Sequence, residues 1–386
     1  MFKKSSLDPE KTDILLQNIK PDLRLLLLFT NQKCNARCNF CHIWGEKGWA
    51  LNNSGEQSLE EIELSVITKF VNDAIKINKK QFWVMLTGGE PTLYKNFEPL
   101  VQFLKNNNLP IILLTNGSRL VKQSKFIVEN QINVISISLD GPPLIHDSIR
   151  SINGLYNSVC DGIEIIIKEK KRRRSHYPML FLNCVISDYN SAYMKEFISQ
   201  LKIQFAERGI KLGFNLESMK EFNEVVMRFE PMLHTTEEQV VKYKEEMKKY
   251  FNTELSSTPF SFVHDNSGIE IKSVKNFLES LWGEDGANFN EFVEVDEYFQ
   301  NIHNTFGHKR CFAPWHGMIV RPNGDVYFCP DFKEYKIGNI TQSNFDEIWN
   351  GDKANKFREV LKTRLLSLCN RCGGLYTDYN SLDLNC

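Results

Sequence analysis

The sequence predicts an α/β chain: an open, partial (β/α)6 barrel of the TIM type, then a small C-terminal domain made of a β-hairpin and a helix. Three observations carry that expectation. Six short runs between residues 24 and 217 are apolar almost throughout, as strands buried on both faces read. Amphipathic segments separate them, and repeated strand–helix alternation gives parallel strands joined by right-handed crossovers. Six units are too few to close an eight-stranded barrel, so the sheet should stay open, with its chemistry at the C-terminal strand ends.

The elements follow in order. Residues 1–23 form an N-terminal extension, and 24–217 the barrel, with strands expected at 25–29, 82–87, 111–115, 134–139, 179–185 and 212–216. The first helix should open on the capping box Ser58-Leu-Glu-Glu61 and set Ile62, Val66, Phe70 and Ala74 on one face. Further helices fit 97–106, 157–168 and 193–200, and the basic run 168–174 reads as the solvated end of a helix. Beyond Leu216 the pattern changes. Residues 218–308 read as a helical connecting or substrate-covering insertion, with helices at 235–250, capped by Thr235 and Glu238, and at 273–281. Within 309–386, the runs 318–321 and 326–328 flank Pro322-Asn-Gly-Asp325, a hairpin turn, and 344–361 reads as a helix.

Composition bounds the function. At roughly 100–200 residues per domain, 386 residues suit one large domain and a smaller one. With 42% hydrophobic and 25% charged residues the chain is not mostly disordered. Its 47 Lys and Arg against 48 Asp and Glu give no global pull toward nucleic acid or an anionic membrane. No apolar run approaches the roughly 20 residues of a bilayer span, and the start lacks a secretory apolar core. A cytoplasmic protein with neither nucleic acid nor membrane as partner is expected.

In a reducing compartment clustered cysteines read as metal ligands or catalytic groups, and seven of the ten fall into two clusters. Cys34, Cys38 and Cys41 follow the first strand. Three thiolates can hold one side of a [4Fe–4S] cluster and leave an iron open to a substrate. Structural zinc is the alternative, with His42 an awkward fourth ligand. Cys311, Cys329, Cys369 and Cys372 can complete a second [4Fe–4S] cluster or hold zinc on four thiolates. Cys160, Cys184 and the terminal Cys386 read as packing or frayed residues.

The motif Cys34-x3-Cys38-x2-Cys41, with Phe40 before its last cysteine, resembles the signature of the radical S-adenosylmethionine (SAM) enzymes. Further segments resemble that family in order. Thr87-Gly88-Gly89-Glu90-Pro91 is similar to the loop that contacts the SAM amino group, where glycines let the backbone approach a ligand. Asn116 ends the third strand, and Ser138 and Asp140 the fourth, with Arg150 following. The resemblance implies that Ser138 contacts the ribose or methionine moiety of SAM and Asn183 its carboxylate. It also puts Leu216 beside the cofactor, and Glu217 could act there as an acid or base.

The spacing Cys311-x12-Gly324-x4-Cys329 resembles the opening of the SPASM and twitch auxiliary-cluster domains. Only Cys386 lies beyond Cys372, so the shorter twitch-like form with one auxiliary [4Fe–4S] cluster is expected, and the cysteine-rich sulfatase-maturing type is not.

The resemblance implies that SAM chelates the open iron and that a donor such as flavodoxin or ferredoxin reduces the cluster. SAM then breaks to methionine and a 5′-deoxyadenosyl radical, which takes a hydrogen atom from the substrate. Modification of a ribosomally made peptide, by crosslink, thioether or epimerisation, is the leading expectation. Dehydrogenation or rearrangement of a sugar, aminocyclitol or nucleotide is the second, and a non-catalytic iron–sulfur or zinc regulator the third.

Overall fold

The computed structural model describes residues 18–41, 43–45, 60–214, 224–232, 235–255, 301, 303–330, 332 and 334–372. Strand–helix units run β1 (Leu25–Phe29), α1 (Leu64–Ile77), β2 (Trp83–Thr87), α2 (Phe97–Asn106), β3 (Ile111–Thr115), α3 (Leu120–Glu129) and β4 (Val134–Ser138). They continue with α4 (Pro143–Arg150), α5 (Leu155–Arg173), β5 (Met179–Ile186), α6 (Met194–Glu207), β6 (Lys211–Gly213), β7 (Glu224–Pro231) and α7 (Glu237–Phe251). The C-terminal part holds α8 (Ala313–His316), β8 (Gly317–Val320), β9 (Asp325–Tyr327), β10 (Gly338–Asn339), α9 (Phe345–Trp349) and α10 (Asp352–Thr363).

The described strands form one sheet in the order β10-β9-β8-β1-β2-β3-β4-β5-β7-β6. Every pairing from β8 across to β6 is parallel. Alternate residues, Leu26 and Leu28, Val84 and Leu86, Ile111 and Leu113, Ile135 and Ile137, Leu180 and Leu182, are buried at 0–2% exposure. They meet the apolar faces of the helices, for example Ile67, Phe70, Val71 and Ala74 of α1, in one continuous core. The intervening residues form the other, half-buried face. There Ser138, Asn183 and Arg228 stand in register on β4, β5 and β7.

Several expectations are corrected. The sixth place in the sheet belongs to β7, which pairs along Leu180–Ile186, and 211–213 is a three-residue edge beyond it. The boundary expected at 217 therefore falls between two strands of one sheet, and 218–308 is not a purely helical insertion. The C-terminal hairpin joins the main sheet, because β8 pairs with β1 from Leu25↔Gly317 to Leu28↔Val320. Helix α1 starts at Leu64 without a side-chain cap, while Glu61 bridges to Asn31; Ser58 and the helix expected at 273–281 lie outside the described residues. The box of α7 is formed by Thr236 and Gln239, one residue later than expected. The single helix expected at 344–361 is two, α9 and α10, divided at Gly351, where a Cβ would stand 2.3 Å from the Glu347 carbonyl oxygen. Among the described residues no helix is long and apolar enough to cross a membrane.

The basic end of α5 is only partly solvated. Lys170 is buried, and its Nζ donates to the Pro178 carbonyl at 2.7 Å. Burial lowers its pKa to about 8, opposed by the charge of Glu224. Between that value and the usual lysine range the folded chain releases a proton that the unfolded chain keeps, so stability rises with pH. The unfolding free energy of the native chain, measured against Lys170→Met, is expected to grow by about 3 kcal/mol from neutral pH to above the unfolded pKa. A pH-independent difference would refute the assignment.

Candidate cluster and cofactor site

The chain leaving β1 and the loop leaving β2 lie flat against each other at the C-terminal edge of the sheet. Gly89 N–H donates to Asn31 O at 2.9 Å and Glu90 N–H to Lys33 O at 2.7 Å, and the Asn31 side chain donates to Glu90 O at 3.2 Å. The glycines make this contact possible. A Cβ on Gly88, whose φ is +128°, would stand 2.6 Å from Asn31 O, and one on Gly89 would stand 2.1 Å from Lys33 O. The close approach these glycines permit is thus to the segment that carries Cys34.

Glu90 fastens the same loop to β3. Its Oε1 accepts from Thr92 Oγ1 at 2.6 Å, Thr92 N–H at 3.2 Å and Thr115 Oγ1 at 2.7 Å, and its Oε2 accepts from Asn116 N–H at 2.8 Å. Burial raises its pKa, opposed by those hydrogen bonds. At 0% exposure the carboxylate is turned inward and braces the loop from behind. Asp140, also at 0%, is likewise turned inward. It accepts from Arg150 Nε at 2.6 Å and from Val185 N–H at 3.0 Å, while its own N–H donates to His146 Nδ1 at 3.1 Å. Both side chains thus brace neighbouring segments at this edge of the sheet.

Cys34, Cys38 and Cys41 lie in the loop after β1. Burial pushes the Cys34 thiol up to about 12, with Glu90, Cys38 and Cys41 adding to the rise and a hydrogen bond from Ala36 opposing it. Burial also raises Cys38, opposed mainly by Arg150. A tight turn closes the loop, with Cys41 N–H donating to Cys38 O at 2.9 Å and Gly45 N–H to Cys41 O at 2.8 Å. Among the described residues no three His, Cys, Asp or Glu side chains are arranged around a single ion. Structural zinc gathers its thiolates at about 2.3 Å from one point, whereas a cubane gives each thiolate its own iron. The soft donor set fits the cluster, and binding it would release the thiol protons. His42, Leu216 and Glu217 lie outside the described residues.

The remaining candidates occupy two settings. Ser138 and Asn183 are half-buried on the inner sheet face, and Asn116 and Pro91 are buried at its edge. Phe40 lies 5.3 Å from the Arg150 guanidinium carbon. Arg228, which sequence reasoning missed, stacks at 4.0 Å on Phe181 next to Asn183 in register. Its signal was a lone arginine in the run Val225-Val-Met-Arg-Phe229.

In the second group, Cys311 precedes α8, Cys329 follows β9, and Cys369 and Cys372 share a 3-10 turn. All four pack against the core, and burial pushes Cys311 up to about 12 with Cys372 adding to the rise. Helix α7 holds the turn in place: Glu246 accepts from Ser367 N–H at 2.9 Å and Ser367 Oγ at 2.7 Å, and Gln239 donates to Ser367 O at 3.2 Å.

Fold and site together define an α/β protein with a mainly parallel sheet and two groups of free cysteines. Residues 28–198 match the model of the radical SAM superfamily, and 311–373 match that of SPASM, an iron–sulfur cluster-binding domain. The chain belongs to the radical SAM superfamily and carries a C-terminal SPASM-type domain. A SAM-binding [4Fe–4S] cluster, auxiliary iron–sulfur chemistry and SAM are its cofactors.

It is 33% identical to a probable GTP 3′,8-cyclase of Thermococcus kodakarensis, over 37% of this chain and 43% of that protein, so the match spans less than half of that relative. It is 23% identical to the cysteine-type anaerobic sulfatase-maturating enzyme of Clostridium novyi, over 87% of this chain and 81% of that one. The solved structure of native anSMEcpe with bound AdoMet and Cp18Cys peptide shares the fold with a TM-score of 0.56 at 19% identity, covering 92% and 87% of the two chains.

Proposed function

We propose that this chain is a peptide-modifying maturase that takes a hydrogen atom from a residue of a ribosomally made peptide. The observation that carries the chemistry is the three-thiol loop, each sulfur with its own hydrogen-bond donor, set at the strand ends beside the half-buried inner face. The substrate class is supported by the extent of likeness. Similarity to the sulfatase-maturating enzyme runs through both halves of the chain, whereas similarity to the nucleotide cyclase covers 37% of it.

Cys34, Cys38 and Cys41 would hold the SAM-binding cluster, and Cys311, Cys329, Cys369 and Cys372 one auxiliary cluster, as in a twitch-like domain. Bound there, reduced cluster and SAM supply a radical able to attack an unactivated carbon. Backbone groups of Gly88 and Gly89, held in place by Glu90, would bind the amino group of SAM. The Ser138 hydroxyl would hydrogen-bond the ribose or methionine moiety of SAM, and the Asn183 amide its carboxylate. The inner sheet face, from Phe29 and Leu27 to Phe181, keeps water from the reacting carbon. A flavodoxin- or ferredoxin-type protein delivers the electron.

The test is anaerobic reconstitution of the full chain with SAM, a chemical reductant and peptides encoded beside its gene. Release of 5′-deoxyadenosine is expected, with hydrogen loss from the peptide for a crosslink or thioether, or solvent deuterium uptake for epimerisation. Nucleoside release stimulated only by a sugar, aminocyclitol or nucleotide would replace the peptide assignment. Release no greater than that of a Cys34→Ala variant would overturn the radical reading.

A further inference from the structure

Each sulfur of the N-terminal triad accepts a hydrogen bond from outside its own turn or from the loop backbone, and three of these donors differ in charge. Asn116 Nδ2 stands 3.9 Å from Cys34 Sγ, Trp44 N–H 3.4 Å from Cys41 Sγ, and Arg150 Nη1 3.5 Å from Cys38 Sγ. The first two donors are neutral. The third is a guanidinium, which stays protonated in a protein.

Arg150 is 8% exposed and Cys38 7%, so little water screens the pair. The guanidinium is also fixed. Its Nε donates to Asp140 Oδ2 at 2.6 Å, and the other oxygen of Asp140 is tied to Val185 N–H at 3.0 Å. The backbone carbonyls of Ile149 and Arg150 accept from Asn39 and Arg37 N–H, at 3.0 and 3.1 Å, so the end of α4 and the cysteine loop are stitched together. The cation therefore cannot swing away from the sulfur when the charge beside it changes.

We propose that Arg150 sets the reduction potential of the SAM-binding cluster, stabilising the added electron through its charge and its N–H···S bond to Cys38, with Asp140 as its positioning partner. This rests on the reading of the triad as the [4Fe–4S] site. Reduction adds one negative charge to the cluster, and cluster potentials follow net charge, hydrogen bonds to sulfur and exposure. A nearby fixed cation favours the reduced form, and Asp140, one step farther out, partly offsets it. Among the three donors to sulfur named above, the charged one stands at the Cys38 corner.

The experiment is a redox titration of the anaerobically reconstituted full chain. It follows the electron paramagnetic resonance signal that responds to added SAM, with iron counted in parallel. Arg150→Gln is expected to make that cluster at least tenfold harder to reduce, a fall of about 59 mV or more for one electron. Arg150→Lys, which keeps the charge, should recover most of the shift. Asp140→Asn should move the potential the opposite way.

Full iron content in Arg150→Gln with an unmoved potential would overturn the proposal and leave the cluster reading intact. Survival of the SAM-responsive signal in Cys34→Ala would overturn the cluster reading itself. Should Arg150→Gln fail to take up iron, Asp140→Asn decides: a potential that stays or falls refutes the role of Arg150, and a rise supports it.

Discussion

Replacing any one of Cys34, Cys38 or Cys41 by alanine is expected to remove about four of about eight irons per chain and to abolish SAM cleavage. In the proposed reading the three thiols, which share the loop after β1, anchor one cluster. Loss of one corner leaves its iron without an anchor and exposes the rest to solvent exchange. The auxiliary irons should remain, since Cys311, Cys329, Cys369 and Cys372 pack in the C-terminal part, on a turn held by α7. The complementary variant, Cys311→Ala, should lose the other four irons and keep SAM cleavage. Iron analysis with 5′-deoxyadenosine detection separates the two patterns. Undiminished cleavage in the Cys34, Cys38 and Cys41 variants would contradict the assignment.

A single methyl group on Gly89 should be nearly as damaging. Its Cβ would lie 2.1 Å from Lys33 O and 2.6 Å from both Gln32 O and Lys33 C, all backbone atoms that cannot rotate aside. The two loops must part, and the bonds from Gly89 N–H to Asn31 O and from Glu90 N–H to Lys33 O go with them. Overpacking of this kind costs about 1–3 kcal/mol, and each lost hydrogen bond about 1 kcal/mol more. Gly89→Ala is thus expected to lose about 3–5 kcal/mol locally, with a cluster that dissociates during purification. Gly154 supplies the control. Its φ of +77° makes alanine strained, but no atom lies within 4 Å of the new Cβ, so only the conformational cost of about 1–2 kcal/mol is expected, with iron retained. Chemical unfolding with iron counting tests both, and equal effects would discredit the steric argument.

The barrel strands were legible because burial on both sides leaves almost unbroken apolar runs. Residues 25–29 and 111–115 were read to the residue, and 83–87, 134–138 and 179–186 within one. Strand β7 was not legible. Glu224, Arg228 and Glu230 interrupt it, and an alternating charged run beside a long polar stretch reads as surface. Helix α3 was passed over, its apolar face being interrupted by the buried polar Gln123 and Ser124. Periodicity continued through Gly351, so the break between α9 and α10 had no signal beyond the glycine itself.

At the site, sequence order showed which segments lie at strand ends, because motifs are local. It could not show which atoms are already engaged. The glycine–glycine–glutamate loop reads as a ligand-facing motif, yet Glu90 is consumed by Thr92, Thr115 and Asn116. The contact between Arg150 and Cys38 spans 112 residues, a separation at which no spacing rule operates.

The parallel pairing of β8 with β1 makes the two halves of this chain one mechanical body. The strand that launches the first cysteine loop is laced along its other side to the hairpin lying between Cys311 and Cys329. Severing the chain ahead of Cys311 would lay bare the whole flank of β1, a raw edge of leucines open to pairing with any stray strand. The span from the first cysteine loop to the C-terminal hairpin is accordingly set by sheet geometry, as rungs fix the width of a ladder, and not by the slack of a tether.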